Sequence, residues 1–457
     1  MRTINPHIFR EYDIRGVTGT DLTEEVFEQL GKAVAVYAKG RKKHKVFCVG
    51  RDGRLTSKAF SNALIEGLTY CGVNVIDIGQ VPTPVLYFGL FTLDVDGGVM
   101  ITASHNPKEY NGMKVAVGTL TIHGDEIRRL GEIANRGEFP KTQGPVTITR
   151  MDLTPKYIRR IVRSIRLKRN LKVVVDAGNG VGGTVAVPLY EKLGCEVVPL
   201  FCDVDGTFPN HHPDPTVPEN LKVLIETVRR TEADLGIAFD GDVDRIGVVD
   251  EKGNTIFGDR LLILFARAVL QQKPGATIIS EVKGSRTLYE EIAKHGGKPI
   301  MWKTGHSLIK AAMKEFGAEL AGEMSGHMFF KHRWYGFDDA IYAGARLLEL
   351  VAADHRPLSQ HLADVPEMHS TPEIRIHTDE SRKFAIVEEA KRYFKEELKL
   401  SVNDIDGARI EFPDGWGLLR ASNTSPALVM RCEATTLERL QEIRQLIEGK
   451  VNELNRS

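Results

Sequence analysis

The sequence predicts an α/β protein: three related α/β domains with mixed, mostly parallel sheets, followed by a C-terminal α+β domain. Three observations predict it. Short apolar runs that read as strands alternate with segments of helical periodicity. The alternation restarts after a polar, Gly/Pro-containing stretch near residue 150 and again after Pro274-Gly275. The segment 367–457 then changes to a β-α-β-β-β-α order. The expected domains are 1–150, 151–253, 254–366 and 367–457.

In the first domain, Asp21 precedes a helix on which Val26, Leu30, Val34 and Tyr37 recur at helical spacing. Val46–Val49, ending at Gly50, reads as a strand, and Phe60, Leu64 and Leu68 mark the next helix. Val75–Ile78 and Val99–Ile101 are further strands, with helix over 83–93 between them. Strands separated by helices imply a largely parallel sheet covered on both faces. The second round begins at Leu171–Asp176 and runs through Val197-Val198 and Leu235–Phe239; the third begins at Thr277–Ile279. In the last domain, strands are expected at 373–376, Ala408–Phe412, Gly417–Arg420 and Leu428–Glu433. Its helices are 383–398 and a final one with Leu440, Ile443, Ile447, Val451 and Leu454 on one face.

Composition narrows the function. The 457 residues are 42% hydrophobic and 27% charged, ordinary for a globular protein. Sixty-one basic side chains balance 61 acidic ones. That excludes a general nucleic-acid or membrane-surface binder and leaves room for a local positive site. The five cysteines are scattered without C-x-x-C spacing, which fits reduced thiols and gives no zinc pattern. No apolar run is long enough to cross a bilayer, and MRTINPHIFREYDIRG lacks a signal-peptide core. The expectation is a soluble, cytoplasmic protein with no nucleic-acid or membrane partner.

Chemistry-bearing residues gather in four loops that follow strands, where α/β sheets bind ligands. Thr102-Ala103-Ser104-His105-Asn106-Pro107 presents Ser104 at a turn, as a nucleophile, a phosphoryl carrier or a plain turn cap. No G-x-S-x-G elbow supports a serine hydrolase. Asp240-Gly241-Asp242-Val243-Asp244-Arg245 lies between two apolar strands. Its three carboxylates need a cation to offset their repulsion, and hard oxygen ligands select Mg²⁺, Mn²⁺ or Ca²⁺. Glu251 falls at the twelfth position of this loop, but Arg245 stands at the sixth, where an EF-hand needs Gly. Gly322-Glu323-Met324-Ser325-Gly326-His327 offers groups that hydrogen-bond sugar hydroxyls, or an ordinary polar loop. Arg420-Ala421-Ser422-Asn423-Thr424-Ser425-Pro426, with Arg431 beyond, reads as a phosphate cradle or an ST-rich turn. Arg10, Arg15, Lys114, Lys283 and His306 add scattered positive charge. Gly178-Asn179-Gly180-Val181-Gly182-Gly183 matches the dinucleotide pattern G-x-G-x-x-G. Pro188 falls early in the helix that should follow, so the glycines read as a tight strand–helix turn and no NAD is expected.

In this order the four loops resemble those of the α-D-phosphohexomutases, over essentially the whole chain, and most closely the phosphomannomutase/phosphoglucomutase branch. TASHNP is similar to that family's phosphoserine loop, DGDVDR to its metal loop, GEMSGH to its sugar-binding loop and RASNTSP to its phosphate-binding loop. Phe9–Gly16 and Gly322–Ser325 favour the branch; phosphoglucosamine mutases usually carry Gln where Met324 stands. The resemblance implies three α/β domains and a C-terminal domain around one central cleft. It also implies reversible interconversion of hexose 1-phosphate and hexose 6-phosphate, of mannose or glucose, with Mg²⁺ and a hexose 1,6-bisphosphate as activator and intermediate.

The expected roles follow. Ser104 carries the phosphoryl group, and Asp240, Asp242 and Asp244, with Ser104, hold the metal. Arg245 and Arg15 add positive charge. Lys114 and His306 are candidates for general acid/base work, Lys114 only in a cationic neighbourhood that lowers it from about 10.4. Tyr12, Lys283, Glu323, Ser325 and His327 bind substrate, with Arg420, Ser422, Asn423, Thr424 and Arg431 on the non-reacting phosphate. The competing readings are a phosphoglucosamine mutase, a nicotinamide-dependent oxidoreductase, and a non-catalytic sugar-phosphate sensor.

Overall fold

The computed structural model describes residues 3–39, 46–379, 381–422 and 427–456. The chain divides into two compact units. One comprises Met1–Leu261 and Ser325–His361, the other Leu262–Met324 and Leu362–Ser457.

The first unit contains a seven-stranded sheet at its N-terminal end. Val46–Arg51 runs parallel to Gly97–Ile101 and to Asn74–Gln80, and Ile148–Arg150 extends the parallel part. Tyr110–Val117 returns antiparallel to Gly97–Ile101, and Ile14–Val17 and Leu120–Thr121 pair with it. The sequence pattern did not reveal these return strands. Asn111 and Lys114 break the apolar run of Tyr110–Val117, yet both are buried for reasons that lie elsewhere in the fold.

Helices Glu24–Lys39, Ser57–Tyr70 and Asp125–Arg136 share one core with this sheet, built on Leu30, Leu64, Leu130, Phe47 and Val99. The first two helices approach closely because glycine stands at the contact. A Cβ on Gly31 would lie 2.3 Å from the Leu64 carbonyl oxygen, and one on Gly67 2.1 Å from that of Glu28. Helix Thr83–Thr92 is apolar all round and buried from Thr83 to Leu90, as a helix covered on every side must be.

A second, five-stranded sheet follows. Lys172–Asp176 runs parallel to Glu196–Leu200 and to Leu235–Phe239, which turns antiparallel into Ile246–Asp250. The Gly178–Gly183 turn joins Lys172–Asp176 to helix Gly183–Lys192, which accommodates Pro188. Its glycines admit neighbouring backbone. A Cβ on Gly180 would lie 2.7 Å from the Gly241 carbonyl oxygen, and one on Gly183 2.5 Å from that of Cys202.

In the second unit, Thr277–Glu281 pairs parallel with both Lys298–Trp302 and Leu320–Gly322. The C-terminal six-stranded sheet runs His369–Ser370, Ala427–Ala434, Gly415–Ala421, Ala408–Phe412, Ser401–Asn403, with Ile374–His377 also on Ala427–Ala434. The expected β-α-β-β-β-α order therefore gains Ser401–Asn403 after the helix and His369–Ser370 before it. The helix expected over 383–398 is α-helical through Lys383–Arg392 and ends in a π turn, Tyr393–Glu397. Both faces of the sheet are covered. Leu419 and Ala421 point to the helices, while Trp416 and Leu418 pack on Val282.

All five cysteines are free, and burial pushes the Cys48, Cys195, Cys202 and Cys432 thiols up to about 12. Among the described residues no helix is long and apolar enough to cross a membrane.

The helix contact yields a stability prediction. Gly67→Val should destabilise the protein by about 1–3 kcal/mol, because a backbone carbonyl cannot move aside as a side chain can. A denaturant melt checks it; an unchanged midpoint would show that the two helices separate freely.

Candidate active site

Ser104 follows strand Gly97–Ile101 and has φ +50, a left-handed conformation disfavoured for residues with a Cβ. Its N–H donates to Thr102 Oγ1 at 2.8 Å, and its Oγ donates to Asp240 Oδ2 at 2.5 Å. His105 Nδ1 lies 3.1 Å from the same Oγ. Burial, and then Arg245 and Arg15, hold the His105 imidazole well below the ordinary histidine value, so it is neutral.

Asp240–Asp244 forms the turn between strands Leu235–Phe239 and Ile246–Asp250. Val243 takes φ +71, rare for a β-branched residue, and the turn is tied from within. Arg245 N–H donates to Asp240 Oδ1 at 3.1 Å and Val243 N–H to the Asp240 carbonyl at 3.2 Å. Thr83 fixes Asp242 from the end of its helix, its Oγ1 donating to Oδ2 at 2.7 Å and its N–H to the carbonyl at 2.9 Å. Gly241 is required where this turn meets the Ser104 loop: a Cβ there would lie 2.6 Å from the Ser104 carbonyl oxygen.

Asp240, Asp242 and Asp244 are wholly buried, and each offers an oxygen within 4.8 Å of the others. Burial, and then Asp244 and Asp242, raise Asp240 well above the usual carboxylate range. Among the described residues, Asp242 Oδ1 and Asp244 Oδ1 accept no hydrogen bond. Buried carboxylate oxygens left without donors fit a hard divalent cation. The chain thus contains an acidic group suited to hold a metal.

Lys114 Nζ donates to Asp242 Oδ2 at 2.8 Å and to Asp244. Burial opposes its charge, but Asp242 and Asp244 outweigh burial and raise the ammonium well above its ordinary value. Its neighbours in the structure are acidic, whereas a base role for Lys114 calls for cationic ones. Arg15 donates to Asp13 Oδ2 at 2.8 Å and to Asn106 Oδ1 at 2.5 Å. Arg245 Nε donates to His327 Nε2 at 3.0 Å. His327 Nδ1 lies 3.3 Å from Asp338 and 3.7 Å from Asp244. His327 therefore stands beside the acidic turn. Tyr12 and Ser325 are half-buried in this unit.

The second unit gathers the other group. Glu323 Oε1 accepts the Gly305 N–H at 2.7 Å, just before buried His306 opens helix His306–Phe316. Lys283 Nζ lies 3.6 Å from Glu373 and 3.9 Å from Glu281. Arg420 lies 3.2 Å from Asp406, which also accepts the Thr304 N–H at 3.0 Å. Arg431 donates to the Lys283 carbonyl. Burial opposes charge on Glu373, but Lys283, Arg375 and Arg420 hold its carboxyl below the usual range. The Ser422 carbonyl accepts from Lys383 Nζ at 2.8 Å. Asn423 and Thr424 lie outside the described residues.

Sequence reading missed Thr83, Asp338, Glu281 and Lys383. Glu281 accepts the Lys283 N–H at 2.7 Å and Thr304 Oγ1–H at 3.0 Å. No local spacing marks Thr83, Glu281 or Lys383. Asp338 was within reach, since two adjacent acids among apolar residues in Gly336-Phe337-Asp338-Asp339-Ala340 are unusual.

A strand-end serine bonded to an acidic, cation-ready turn is an arrangement suited to phosphoryl transfer, and comparison with known proteins gives the family. Models described as Phosphoglucomutase/phosphomannomutase, alpha/beta/alpha domains I, II and III, match residues 6–141, 155–253 and 257–369, and the model of the C-terminal domain matches 373–450. The chain belongs to the phosphoglucomutase/phosphomannomutase family. It is 48% identical over 455 residues to the phosphomannomutase/phosphoglucomutase of Pseudomonas aeruginosa, covering 100% of this chain and 97% of that one. It is 47% identical over 457 residues to the phosphoglucomutase of Neisseria meningitidis, covering 99% of each. A crystal structure of a phosphoglucomutase/phosphomannomutase family protein from Burkholderia thailandensis superposes with TM-score 0.92 at 44% identity, over 99% of this chain and 98% of that one.

The orphaned oxygens predict a stability linkage. Mg²⁺ at 100 times its dissociation constant should stabilise the fold by about 2.7 kcal/mol, and Asp244→Asn should reduce that gain. Thermal melts with Mg²⁺ and with EDTA check it; identical melts would remove the cation assignment.

Proposed function

We propose that this enzyme interconverts the 1- and 6-phosphates of a hexose, mannose or glucose, through a phosphoserine at Ser104 and a hexose 1,6-bisphosphate. The observation that carries the mechanism is the Ser104 Oγ–Asp240 hydrogen bond of 2.5 Å. It sets a strand-end hydroxyl against the acidic group.

In the proposed cycle the sugar hydroxyl attacks the phosphorus on Ser104. The new O–P bond forms as the Ser104 O–P bond breaks, giving the bisphosphate. The bisphosphate turns over and returns its other phosphate to Ser104. Phosphoryl transfer needs chiefly positioning and neutralised charge. Mg²⁺, held by Asp240, Asp242 and Asp244 beside Ser104, supplies the main neutralisation when bound. Lys114, Arg15 and Arg245 add fixed positive charge.

The hydroxyl proton needs a neutral acceptor. The candidate is His306, which opens helix His306–Phe316. Glu323, Ser325 and Tyr12 are proposed to read the sugar. Lys283, Arg420, Ser422, Asn423, Thr424 and Arg431 are proposed for the phosphate not being transferred, in a chain organised as the four domains 1–150, 151–253, 254–366 and 367–457. A cytoplasmic site of action, with no NAD, nucleic-acid or membrane partner, completes the proposal.

Ser104→Ala should lower turnover by about 10³-fold or more in a folded protein. Arg420→Ala should raise KM about 10-fold, as loss of a charged hydrogen bond requires. Coupled assays with mannose 1-phosphate, glucose 1-phosphate and glucosamine 1-phosphate, each with Mg²⁺ and a trace of the matching bisphosphate, set the sugar. Turnover of the glucosamine compound alone would reassign the branch, and an active Ser104→Ala enzyme would end the carrier role.

A further inference from the structure

The Ser104 loop is gripped from behind by one buried side chain. Arg54 stands just beyond strand Val46–Arg51 and is 4% exposed. Its Nη1 donates to the carbonyl oxygens of Pro107 and Tyr110 at 2.8 and 2.9 Å. Its Nη2 donates to those of Ser104 and Asn106 at 2.8 and 2.6 Å. Its Nε lies 3.3 Å from Asp52 Oδ2, and the guanidinium sits 5.2 Å from the ring centre of Phe208. Asp52 is itself fixed, accepting from Ser57 Oγ at 2.5 Å and from the Arg54 N–H at 3.0 Å.

The turn that presents Arg54 is held by the second sheet's connecting loop. A Cβ on Gly206 would lie 2.6 Å from the Gly53 carbonyl oxygen and 2.9 Å from Arg54 Cα, and one on Gly53 2.3 Å from Val204 Cγ1. Little freedom remains for the backbone that presents Arg54.

We propose that Arg54 is a positioning residue for phosphoryl transfer, holding the backbone of 104–110 so that Ser104 keeps its left-handed conformation and its Oγ stays aimed at Asp240. The inference rests on Ser104 being the phosphoryl carrier. The chemistry is that of a planar fork. Four carbonyl oxygens converge on its two terminal nitrogens, a pattern the three donors of an ammonium cannot reproduce. Asn106 couples the grip to a second cation, since its main chain accepts from Arg54 and its side chain from Arg15. A shift of the loop would therefore displace Arg15 together with Ser104.

The test uses the full-length Mg²⁺ enzyme and the variants Arg54→Ala and Arg54→Lys. In Arg54→Ala, kcat should fall about 100-fold with KM within about threefold, the signature of a misplaced reacting group rather than lost substrate binding. Millimolar guanidinium should restore part of kcat, while methylammonium at the same ionic strength should not. A merely structural arginine would give no such ion-selective rescue. Should Arg54→Ala fail to fold, Arg54→Lys carries the test, with kcat expected to fall about 10-fold at unchanged KM. A kcat within about twofold of wild type in either folded variant overturns the proposal, as does a loss in Arg54→Ala that guanidinium relieves no better than methylammonium. Ser104→Ala, assayed in parallel, separates the two readings. If that variant is active, the carrier role fails. If it is inactive beside a fully active Arg54→Ala, only the role of Arg54 fails.

Discussion

Three carboxylates buried in one turn repel one another, and much of the first unit answers that repulsion. Lys114 reaches in from the antiparallel strand Tyr110–Val117. Thr83, at the start of a helix buried on all sides, fixes the orientation of Asp242. Asp240 faces the serine hydroxyl. Electrostatics thus bears on why two loops 136 residues apart in sequence meet at one place, and why a mobile surface turn would not serve. In water the same charges would be screened and their geometry free.

The two loops meet through main chain. Gly241 lies against the Ser104 carbonyl, and Gly180 against Gly241. This stacking of three turns leaves no room for side chains between them. It also accounts for the G-x-G-x-x-G pattern in this chain. The glycines that mimic a dinucleotide fingerprint make way for the protein's own backbone.

The strands and helices of the parallel layers were legible in the sequence because their signals are local. Leu235–Phe239 is bounded as the apolar run predicts, and Val26, Leu30 and Val34 do line a helix. The four loops were legible because each lies at a strand end. Other features depend on partners distant in sequence. Tyr110–Val117 hides its identity behind Asn111 and Lys114, polar residues whose burial makes sense only beside Ser57 and the acidic turn. The acidic setting of Lys114 was invisible for the same reason, because spacing along a chain does not show which charges will face each other. Ser401–Asn403, short and half-polar, carries no signal of its own and exists because the edge of Ala408–Phe412 accepts it.

The C-terminal sheet, clad on both faces, bears on how the protein tolerates damage. Its outer layer is its own helices, but its inner layer is borrowed: Trp416 and Leu418 rest on Val282, and Arg286 and Arg409 lace the two segments together through backbone carbonyls. A proteolytic cut in a loop between the two segments would break the chain but leave these contacts in place, so the nicked pieces would stay together. Only forced separation would uncover the Trp416 indole and Leu418 on one piece and Val282 on the other, apolar surface that neither piece can cover alone.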